Sequence, residues 1–530
     1  MSTALAGTAP LLRTTLHHDG RSFAPWILIV TVLATSSVLV YPWVFPSQQD
    51  RAGLATAIGA NPALGLIFGP AYDLSTADGF TAWRSLALGG FLVALGAIFT
   101  VTRATRGQED SGQAELLASG VLGRSSRLLA GVGMALIGSL LLGIVAGVAT
   151  ALCGGAWDSS LLLGGTFAAT GWMFAAIAAV TAQIGSDLRT ANSLAVGTLG
   201  VLFLLRGFLI SISAPEWAVW ANPLGWMTQT RPATENNWWP LLFAVVFTLV
   251  LLAIAFALQA RRDFGQGAIA PRQGPARGRI RSPLRLALRI HGGPVLTWTI
   301  AFLALGVMFG YFTSSITDLL GADSGVTQML ASGGASSDTL VSVFLVTILS
   351  LVGIIATIPG VQSVLKARAE EMDDRVEPVI AAGIRRSRYF GSNVLVAFAA
   401  PTAYVLIAGA IIAALASNAD IGIDYGSAFL QALATVPAVW TVIALAVAVV
   451  GARPQVTLAA WFGVLASFVL TLLGPTFKLP DGALAISPFW HIPLVSSVDL
   501  DLSGLVWITV VTLVLGAIGF AGFRRRDLAR

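Results

Sequence analysis

The sequence predicts an all-α, polytopic membrane protein of twelve transmembrane helices, arranged as two six-helix repeats in parallel orientation. The composition is the first observation: 56% of the 530 residues are hydrophobic, 11% are charged and the mean hydropathy is +0.81, unlike a soluble domain. The second is a set of twelve apolar segments near the roughly 20 residues that a helix needs to cross the hydrocarbon core. The third is a pattern of charged residues that occurs twice, 262 positions apart.

The apolar segments define the predicted spans in chain order. The first six are Pro25 to Val44, Trp83 to Thr102, Leu128 to Leu152, Leu161 to Ile184, Ser193 to Ile212 and Trp239 to Leu258. The second six are Val295 to Thr313, Leu340 to Val361, Val394 to Leu415, Ala428 to Val450, Thr457 to Leu473 and Val506 to Phe520.

The distribution of cations predicts the orientation. Of the 31 Lys and Arg residues, four (Arg51, Arg84, Arg231 and Lys478) lie in or beside the odd-numbered connections and Arg206 lies within a span, which leaves 26 on the other side. By the positive-inside rule the richer side is cytoplasmic, so both chain termini are expected in the cytoplasm. The net charge of +5 is therefore a topology signal, and no nucleic-acid partner is expected.

Other sequence elements repeat with nearly the same offset. Pro10 to Trp26 matches Pro283 to Trp298, and each is expected to form an interfacial helix before the first or the seventh span. Asn222-Pro223-Leu224 corresponds to Ser487-Pro488-Phe489, and Arg261-Arg262-Asp263 corresponds to Arg525-Arg526-Asp527. The repeat predicts two domains, residues 1–260 and 283–530, joined by a Gly-, Pro- and Arg-rich cytoplasmic linker at 261–282. Halves with an even number of spans share one orientation, related by an axis along the membrane normal.

The duplicated charge pattern lies between the second and third spans of each half. Its members follow at intervals of three, six and nine residues: Arg106, Glu109, Glu115 and Arg124, then Arg368, Glu371, Glu377 and Arg386. Each set includes a short helical segment that ends at a glycine, Gly120 or Gly383. A compact charged helix of this kind suits docking to a soluble partner, whereas the alternative is an ordinary solvated loop.

Together these features resemble the ABC-2 type permeases, in particular the fused, two-half group of actinobacterial exporters of polyketide antibiotics. The resemblance covers nearly the whole chain and lies in the order and duplication of its elements. It implies a permease subunit of an ATP-binding cassette exporter in the plasma membrane of an actinobacterium, with a type V exporter-like fold. The implied cargo is hydrophobic or amphipathic, such as antibiotics and drugs. The eight residues of the duplicated pattern would then contact a homodimer of ATPase subunits on the cytoplasmic face.

No motif for energy coupling or catalysis is present in the chain. It contains no GxxxxGK[ST] loop, no HExxH, no CxxC and only one cysteine, Cys153. We therefore expect no catalytic residue, no metal site and no cofactor on this chain, with ATP and Mg²⁺ bound by the partner subunits. The expected partners are this ATPase, the membrane lipid and a hydrophobic small molecule.

A translocation path is predicted from side chains on the spans that line the central cavity in the resembled family. The residues are Phe91, Phe99, Phe203, Arg206, Phe344, Phe462 and Phe468. Arg206 is the ionisable residue well inside a span, where a charge costs at least ~2.5 kcal/mol, so it is expected to face the protein interior or a water-filled cavity. The alternative is that Arg206 extends to the outer interface and pairs with Glu216.

Aromatic residues cluster in the outer segments that follow the fifth and eleventh spans. Trp217, Trp220 and Trp226 in the first half, with Pro488 and Trp490 in the second, are either an outer gate or an aromatic belt at the membrane interface. In the resembled family these segments enter the outer leaflet as short re-entrant helices.

Three other functions stay open at this point. A secondary transporter of major facilitator type also has twelve spans in parallel repeats, but no Asp or Glu lies well inside a span to couple protons. A permease that exports lipid or glycolipid is equally compatible with apolar walls. A membrane enzyme or scaffold is disfavoured by the lack of paired acids and nucleophile motifs.

Overall fold

A computed structural model describes residues 6–59, 68–118, 123–211, 214–262, 267, 278, 280, 282–314, 337–419, 423–473, 479–495 and 501–527. The described residues form helices and connections without a β-strand. Among them, eleven helices are long and apolar enough to cross a membrane. The prediction of an all-helical, polytopic membrane protein is confirmed. Most of the predicted linker, Gly120 and Lys478 lie outside the described residues.

In its described residues, the first half contains twelve α-helices. They are α1 (Thr8–Asp19), α2 (Ala24–Val44), α3 (Gln48–Gly59), α4 (Ala77–Thr102), α5 (Gln108–Asp110), α6 (Gln113–Ala118), α7 (Ser126–Leu152), α8 (Trp157–Ile184), α9 (Leu188–Ser211), α10 (Glu216–Trp220), α11 (Pro223–Thr228) and α12 (Pro240–Arg261). A 3₁₀ turn, Gly20–Phe23, joins α1 to α2, and a π-helical turn, Arg103–Gly107, joins α4 to α5. The long helices α2, α4, α7, α8, α9 and α12 correspond to the six predicted spans.

The second half follows, with eight α-helices in the part that the structure describes. They are α13 (Pro283–Ser314), α14 (Ser337–Met372), α15 (Val376–Ala381), α16 (Arg386–Ser417), α17 (Tyr425–Ala452), α18 (Leu458–Phe468), α19 (Asp481–Leu484) and α20 (Ser503–Arg525). A π-helical turn, Val469–Leu473, extends α18, and a 3₁₀ turn, Pro488–His491, lies before α20.

Two parts of the second half differ from the prediction. Up to Leu473, where the described residues stop, the eleventh predicted span is an 11-residue α-helix continued by a π-helical turn, which is shorter than the eleven helices of spanning length and composition in the described chain. The expected separate interfacial helix before the seventh span is instead the first part of the 32-residue α13. In the first half Asp19 is followed by the 3₁₀ turn at Gly20, whereas α13 continues through Pro294 without a break.

The chain divides into two compact units, with the boundary between residues 274 and 275 for most of the chain. Small residues bring helices close together within each unit. In the first, α7 and α8 cross at Gly143 and Gly164, where a methyl group added to Gly164 would lie 2.2 Å from the Gly143 carbonyl oxygen. In the second, α17 and α20 cross at Gly451 and Gly519, and an added methyl group on Gly451 would lie 2.0 Å from the Gly519 carbonyl oxygen. Such contacts replace the hydrophobic effect as the basis of helix association in lipid.

Candidate functional site

The first half contains a buried group of charged residues where α4 ends and the π-helical turn begins. We call Arg106, Glu109, Arg127 and Arg262 the first ionic cluster. Glu109 Oε2 lies 2.8 Å from Arg106 Nη1, and its Oε1 lies 3.3 Å from Arg127 Nη2. Arg262 Nη2 donates to both carboxylate oxygens, at 2.7 and 2.9 Å. The side chain of Glu109 is 9% exposed and that of Arg106 is 1% exposed, so this carboxylate is enclosed by guanidinium groups.

The first ionic cluster also bonds to the backbone of a further span. Arg106 Nε donates to the carbonyl oxygen of Ala182 at 2.5 Å, and Arg262 Nη1 donates to the same oxygen at 3.2 Å. Ala182 lies at the end of α8, where the last carbonyl groups of the helix lack intrahelical partners. Arg124 Nη2 donates to the carbonyl oxygen of Arg262. The cluster therefore holds together the ends of α4, α8 and α12 and the start of α7.

The second half repeats this arrangement. We call Arg368, Glu371 and Arg526 the second ionic cluster. Arg526 donates from Nη1 and Nη2 to the two oxygens of Glu371, at 2.5 and 2.6 Å, and Arg368 Nη1 lies 3.1 Å from Oε2. Arg526 Nε donates to the carbonyl oxygen of Gly451 at the end of α17, and Arg386 Nη1 donates to the Arg526 carbonyl oxygen at 2.8 Å. The carboxylate of Glu371 is held by the bidentate geometry that favours arginine as its partner.

The remaining acids of the duplicated pattern lie on the surface of their units. Glu115 is exposed in α6, and Glu377 is exposed in the first turn of α15. A positive φ of 87° at Gly383 follows α15, as expected for a glycine that ends a helix. The pattern is thus split: Glu109 and Glu371 are enclosed by arginines, while Glu115 and Glu377 are accessible.

The sequence prediction included four of the seven residues that form the two clusters. Arg127, Arg262 and Arg526 were not in the predicted site, although the duplicated Arg-Arg-Asp sequences after the sixth and twelfth spans contain two of them. The signal was therefore present in the repeat. The sequence did not show that the end of the last long helix in each half contacts the segment that bears the glutamate. The assignment of the eight residues to partner contact stays a prediction.

The start of α9 is also tied to this region. Asp110 Oδ2 accepts a hydrogen bond from the backbone N–H of Leu188 at 2.8 Å. Asp187, just before α9, accepts from the backbone N–H and the hydroxyl of Thr190, both at 2.9 Å. Burial would raise the pKa of Asp187, but these hydrogen bonds and the one from Ser186 lower it below its ordinary value. An ionised Asp187 therefore stabilises the start of α9 at neutral pH.

Arg206 lies inside the first unit and is 3% exposed. Its guanidinium carbon lies 4.9 Å from the centroid of the Phe203 ring, and Phe203 in turn contacts Phe91 edge to face at 5.1 Å. Glu216, the partner of the alternative interpretation, has an oxygen 3.7 Å from Arg231 Nη2. Three of the predicted path residues are therefore brought together in one group.

The other predicted path residues are dispersed. Phe99 contacts Trp26 at a centroid distance of 6.3 Å, and Phe344 packs against the core of the second unit. Phe462 and Phe468 on α18 are 67% and 40% exposed on the surface of that unit. Whether these side chains line a translocation path stays a prediction.

The aromatic segments that follow α9 and α18 form short helices that are capped in the same way in both halves. Asn222 Oδ1 accepts from the N–H of Leu224, and Ser487 Oγ accepts from the N–H of Phe489, each with a proline at the first position of the helix. Asn222 Nδ2 also donates to the Leu202 carbonyl oxygen of α9, while Ser487 Oγ lies 2.8 Å from Thr471 Oγ1 in the turn after α18. Each short helix is thus attached to the span before it.

The predicted gate residues occupy these segments in different environments. Trp226 Nε1 donates to the Trp220 carbonyl oxygen at 2.7 Å, and both rings pack against Phe243 on α12. Trp217 and Trp490 are exposed, while Pro488 begins the 3₁₀ turn of the second half. The gate and the interfacial belt both remain compatible with these positions.

Within the described residues, no group of three or more His, Cys, Asp or Glu side chains could hold a metal ion. The ionic clusters are dominated by guanidinium groups, which repel cations. The arrangement is suited to holding helix ends in register.

Comparison with known proteins places the chain among membrane permeases. A family model described as "Multidrug efflux system permease Rv1217c, C-terminal domain" matches residues 50–258 and 280–524, which include Glu109 and Glu371. The multidrug efflux system permease protein Rv1217c of Mycobacterium tuberculosis is 34% identical over 542 residues, covering 99% of this chain and 96% of the relative. On this similarity, the chain belongs to the family of the multidrug efflux system permease Rv1217c.

Proposed function

We propose that this chain is the membrane-spanning permease subunit of an ATP-binding cassette exporter that moves hydrophobic or amphipathic small molecules, such as drugs and antibiotics, out of the cell. The mycobacterial relative is named a multidrug efflux system permease, which supports the transport of drugs. ATP and Mg²⁺ bind to a separate ATPase homodimer, with one subunit under each half. No ATP-binding loop occurs in this sequence to supply the energy itself.

One observation carries the proposal: an exposed acid on a short helix lies beside a buried ionic cluster in each half. Glu115 follows Glu109 by six residues, and Glu377 follows Glu371 by six. Because Glu109 and Glu371 are bonded to arginines at the ends of other spans, a force applied to α6 or α15 acts on several helix ends together. This arrangement supports a coupling role in which the exposed acids meet the ATPase and the clusters transmit its movement.

The test is a double charge reversal, Glu115→Lys with Glu377→Lys, co-expressed with a candidate ATPase subunit that co-purifies with the unmodified chain. We expect loss of ATPase co-purification and of drug efflux at an unchanged level of inserted permease. Two controls keep the comparison matched: Glu115→Asp with Glu377→Asp, which retains both charges, and Asp481→Lys, which changes an exposed acid at the other end of the unit. Retained efflux and co-purification in the charge-reversed protein would refute the coupling role.

We also propose that α18 and its π-helical turn complete a twelfth span, which places both termini in the cytoplasm. An even number of crossings is needed for this topology, and the cation distribution supports it. The single native cysteine makes the test direct, since Cys153→Ser gives a cysteine-free chain. Cysteines placed at Glu115 and at Asp481 should be labelled by a membrane-impermeant maleimide from opposite sides. Labelling of both from outside intact cells would contradict the topology.

A further inference from the structure

A large apolar groove lies within the second unit, between α16, α17 and α20. Its volume is about 800 Å³, and its walls are almost entirely hydrocarbon. Leu395 and Leu513 are 54% and 68% exposed along it, so it opens on one side. Its lining includes Gly391, Phe398, Leu406, Trp440, Gly516 and Phe520.

The polar atoms that border the groove are satisfied within the protein. Trp440 Nε1 donates to Thr402 Oγ1 at 2.9 Å, and that hydroxyl donates to the Phe398 carbonyl oxygen at 2.8 Å. Thr512 Oγ1 donates to the Ile508 carbonyl oxygen at 2.8 Å. The groove therefore offers an apolar surface, and an occupant needs no hydrogen bonds along its length.

The groove is long enough for one acyl chain. The lining residues on α16 run from Gly391 to Leu406, a rise of roughly 22 Å at 1.5 Å per residue. One leaflet contributes about 15 Å of hydrocarbon, half of the ~30 Å core. An acyl chain that enters at the Gly391 end can therefore lie in the groove for its full length.

The Gly391 end of the groove is basic. Arg388 and Arg524 are exposed one turn beyond Gly391 and Phe520, respectively, on the two helices that flank the groove. The hydrogen bond from Arg386 Nη1 to the Arg526 carbonyl oxygen shows that these helix ends are adjacent. None of the described residues forms an ion pair with Arg388 or Arg524, and Asp527, which follows Arg526 in the chain, is exposed.

This basic mouth is specific to the second half. Arg124 and Arg386 are related by an offset of 262 residues, and Arg262 and Arg526 by 264. The same offsets relate Arg388 to Ser126 and Arg524 to Ala260, which carry no charge. The two arginines are therefore additions to the repeat at the end of this groove.

We propose that the groove binds one acyl chain of an anionic phospholipid, whose phosphate is held by Arg388 and Arg524. The lipid belongs to the leaflet at the Gly391 end, which is the cytoplasmic leaflet on the proposed topology. The basic mouth selects an anionic head group, while the apolar walls accept the chain without selecting among chain types. This site requires only that the chain spans a membrane, so it stands independently of the ATPase partnership.

The test is native mass spectrometry of the purified full-length chain, titrated with phosphatidylglycerol or with phosphatidylcholine of identical acyl chains. We expect the unmodified chain to bind phosphatidylglycerol more tightly than phosphatidylcholine. Arg388→Gln and Arg524→Gln should each weaken the binding of phosphatidylglycerol roughly fivefold, because each basic residue contributes about 1 kcal/mol to the attraction of an anionic lipid. Arg261→Gln, an exposed arginine at the end of α12 in the first half, is the matched control and should change nothing. Equal affinity for both lipids, or no loss in either variant, would overturn the proposal.

A second variant tests the groove itself. A methyl group added to Gly516 would meet nothing within 4 Å, so the first atom of a larger side chain fits there, and we use Gly516→Leu to reduce the volume of the groove. We expect it to weaken binding of phosphatidylglycerol while thermal stability is kept. A phosphatidylglycerol with brominated chains should quench Trp440, measured as the difference from Trp440→Phe. Unchanged lipid binding in Gly516→Leu would refute the groove as the lipid site. If the unmodified chain were an oligomer and Gly516→Leu a monomer, the groove would be occupied by a second copy of the chain, and the proposal would also be refuted.

Discussion

The second ionic cluster gives the sharpest prediction, because one carboxylate there pairs with two arginines. Glu371 is 2% exposed, accepts two hydrogen bonds of 2.5 and 2.6 Å from Arg526 and lies 3.1 Å from Arg368. Glu371→Gln keeps the size of the side chain but leaves these guanidinium groups without a counter-charge. Removing one partner of a buried ion pair costs roughly 3–5 kcal/mol. We expect a destabilisation of this order.

The measurement is thermal unfolding of the purified chain in detergent, with the unfolding free energy compared in mild denaturant. Glu377→Gln is the matched control, since this acid is six residues away and exposed on α15. It should change stability by less than about 0.5 kcal/mol, as surface substitutions do. A similar loss in both variants would show that the burial of Glu371 has no energetic consequence.

A double-mutant cycle isolates the interaction. Arg526→Gln alone should also destabilise the chain, and the combination with Glu371→Gln should cost less than the sum of the two single changes. The reason is that the second substitution removes a charge that the first has already left unpaired. Additive effects within about 0.5 kcal/mol would refute the pairing described here.

Three further predictions concern other parts of the structure. Asn222→Ala and Ser487→Ala each remove a helix cap and should lower the free energy of unfolding by about 1 kcal/mol. The control Asn418→Ala changes an exposed residue and should leave thermal unfolding unchanged. Equal effects of all three substitutions would contradict the capping role. Gly164→Ala places a methyl group 2.2 Å from the Gly143 carbonyl oxygen and should cost on the order of 1–3 kcal/mol, whereas Gly200→Ala, with nothing within 4 Å, should be tolerated; equal stability would disprove the close crossing of α7 and α8. Arg206→Lys keeps the charge but loses the planar group over Phe203, and we expect it to lower the free energy of unfolding by about 0.5–2 kcal/mol. In a Phe203→Leu background the same substitution should have no such effect. An equal loss of stability in both backgrounds would exclude the ring contact.

The polytopic helical architecture was predictable because long apolar helices follow directly from composition. The interiors of membrane helices must satisfy their backbone within the segment, so apolar length is a strong signal. Composition does not reveal the irregularity at α18, where the described part of the predicted span Thr457 to Leu473 is an α-helix continued by a π-helical turn. The signal fails at α13, because nothing local in Pro283 to Trp298 decides whether an amphipathic segment lies in the interface or continues into the span.

The candidate site was predictable in part. Spacing along the chain identified Arg106, Glu109, Arg368 and Glu371, because their duplication is visible in the sequence. It could not distinguish these residues from Glu115 and Glu377, since burial depends on the helix that returns from far along the chain. Glu109 and Arg262 are separated by 153 positions, and Glu371 and Arg526 by 155. Such pairs are set by the packing of the sixth and twelfth spans, which periodicity alone does not determine.

The presence of the same ionic cluster in both halves is better explained by geometry than by stability. Burying a carboxylate and several guanidinium groups costs desolvation energy that their attraction only partly offsets, so apolar side chains of similar volume would hold the helix ends at least as firmly. Apolar contacts would, however, allow helix ends to slide past each other. Hydrogen bonds of Arg262 and Arg526 to a carboxylate on one helix and to a carbonyl oxygen at the end of another fix both distance and direction. In the proposed coupling role the chain needs this fixed register, because otherwise a displacement of α6 or α15 would be lost before it reached the long helices.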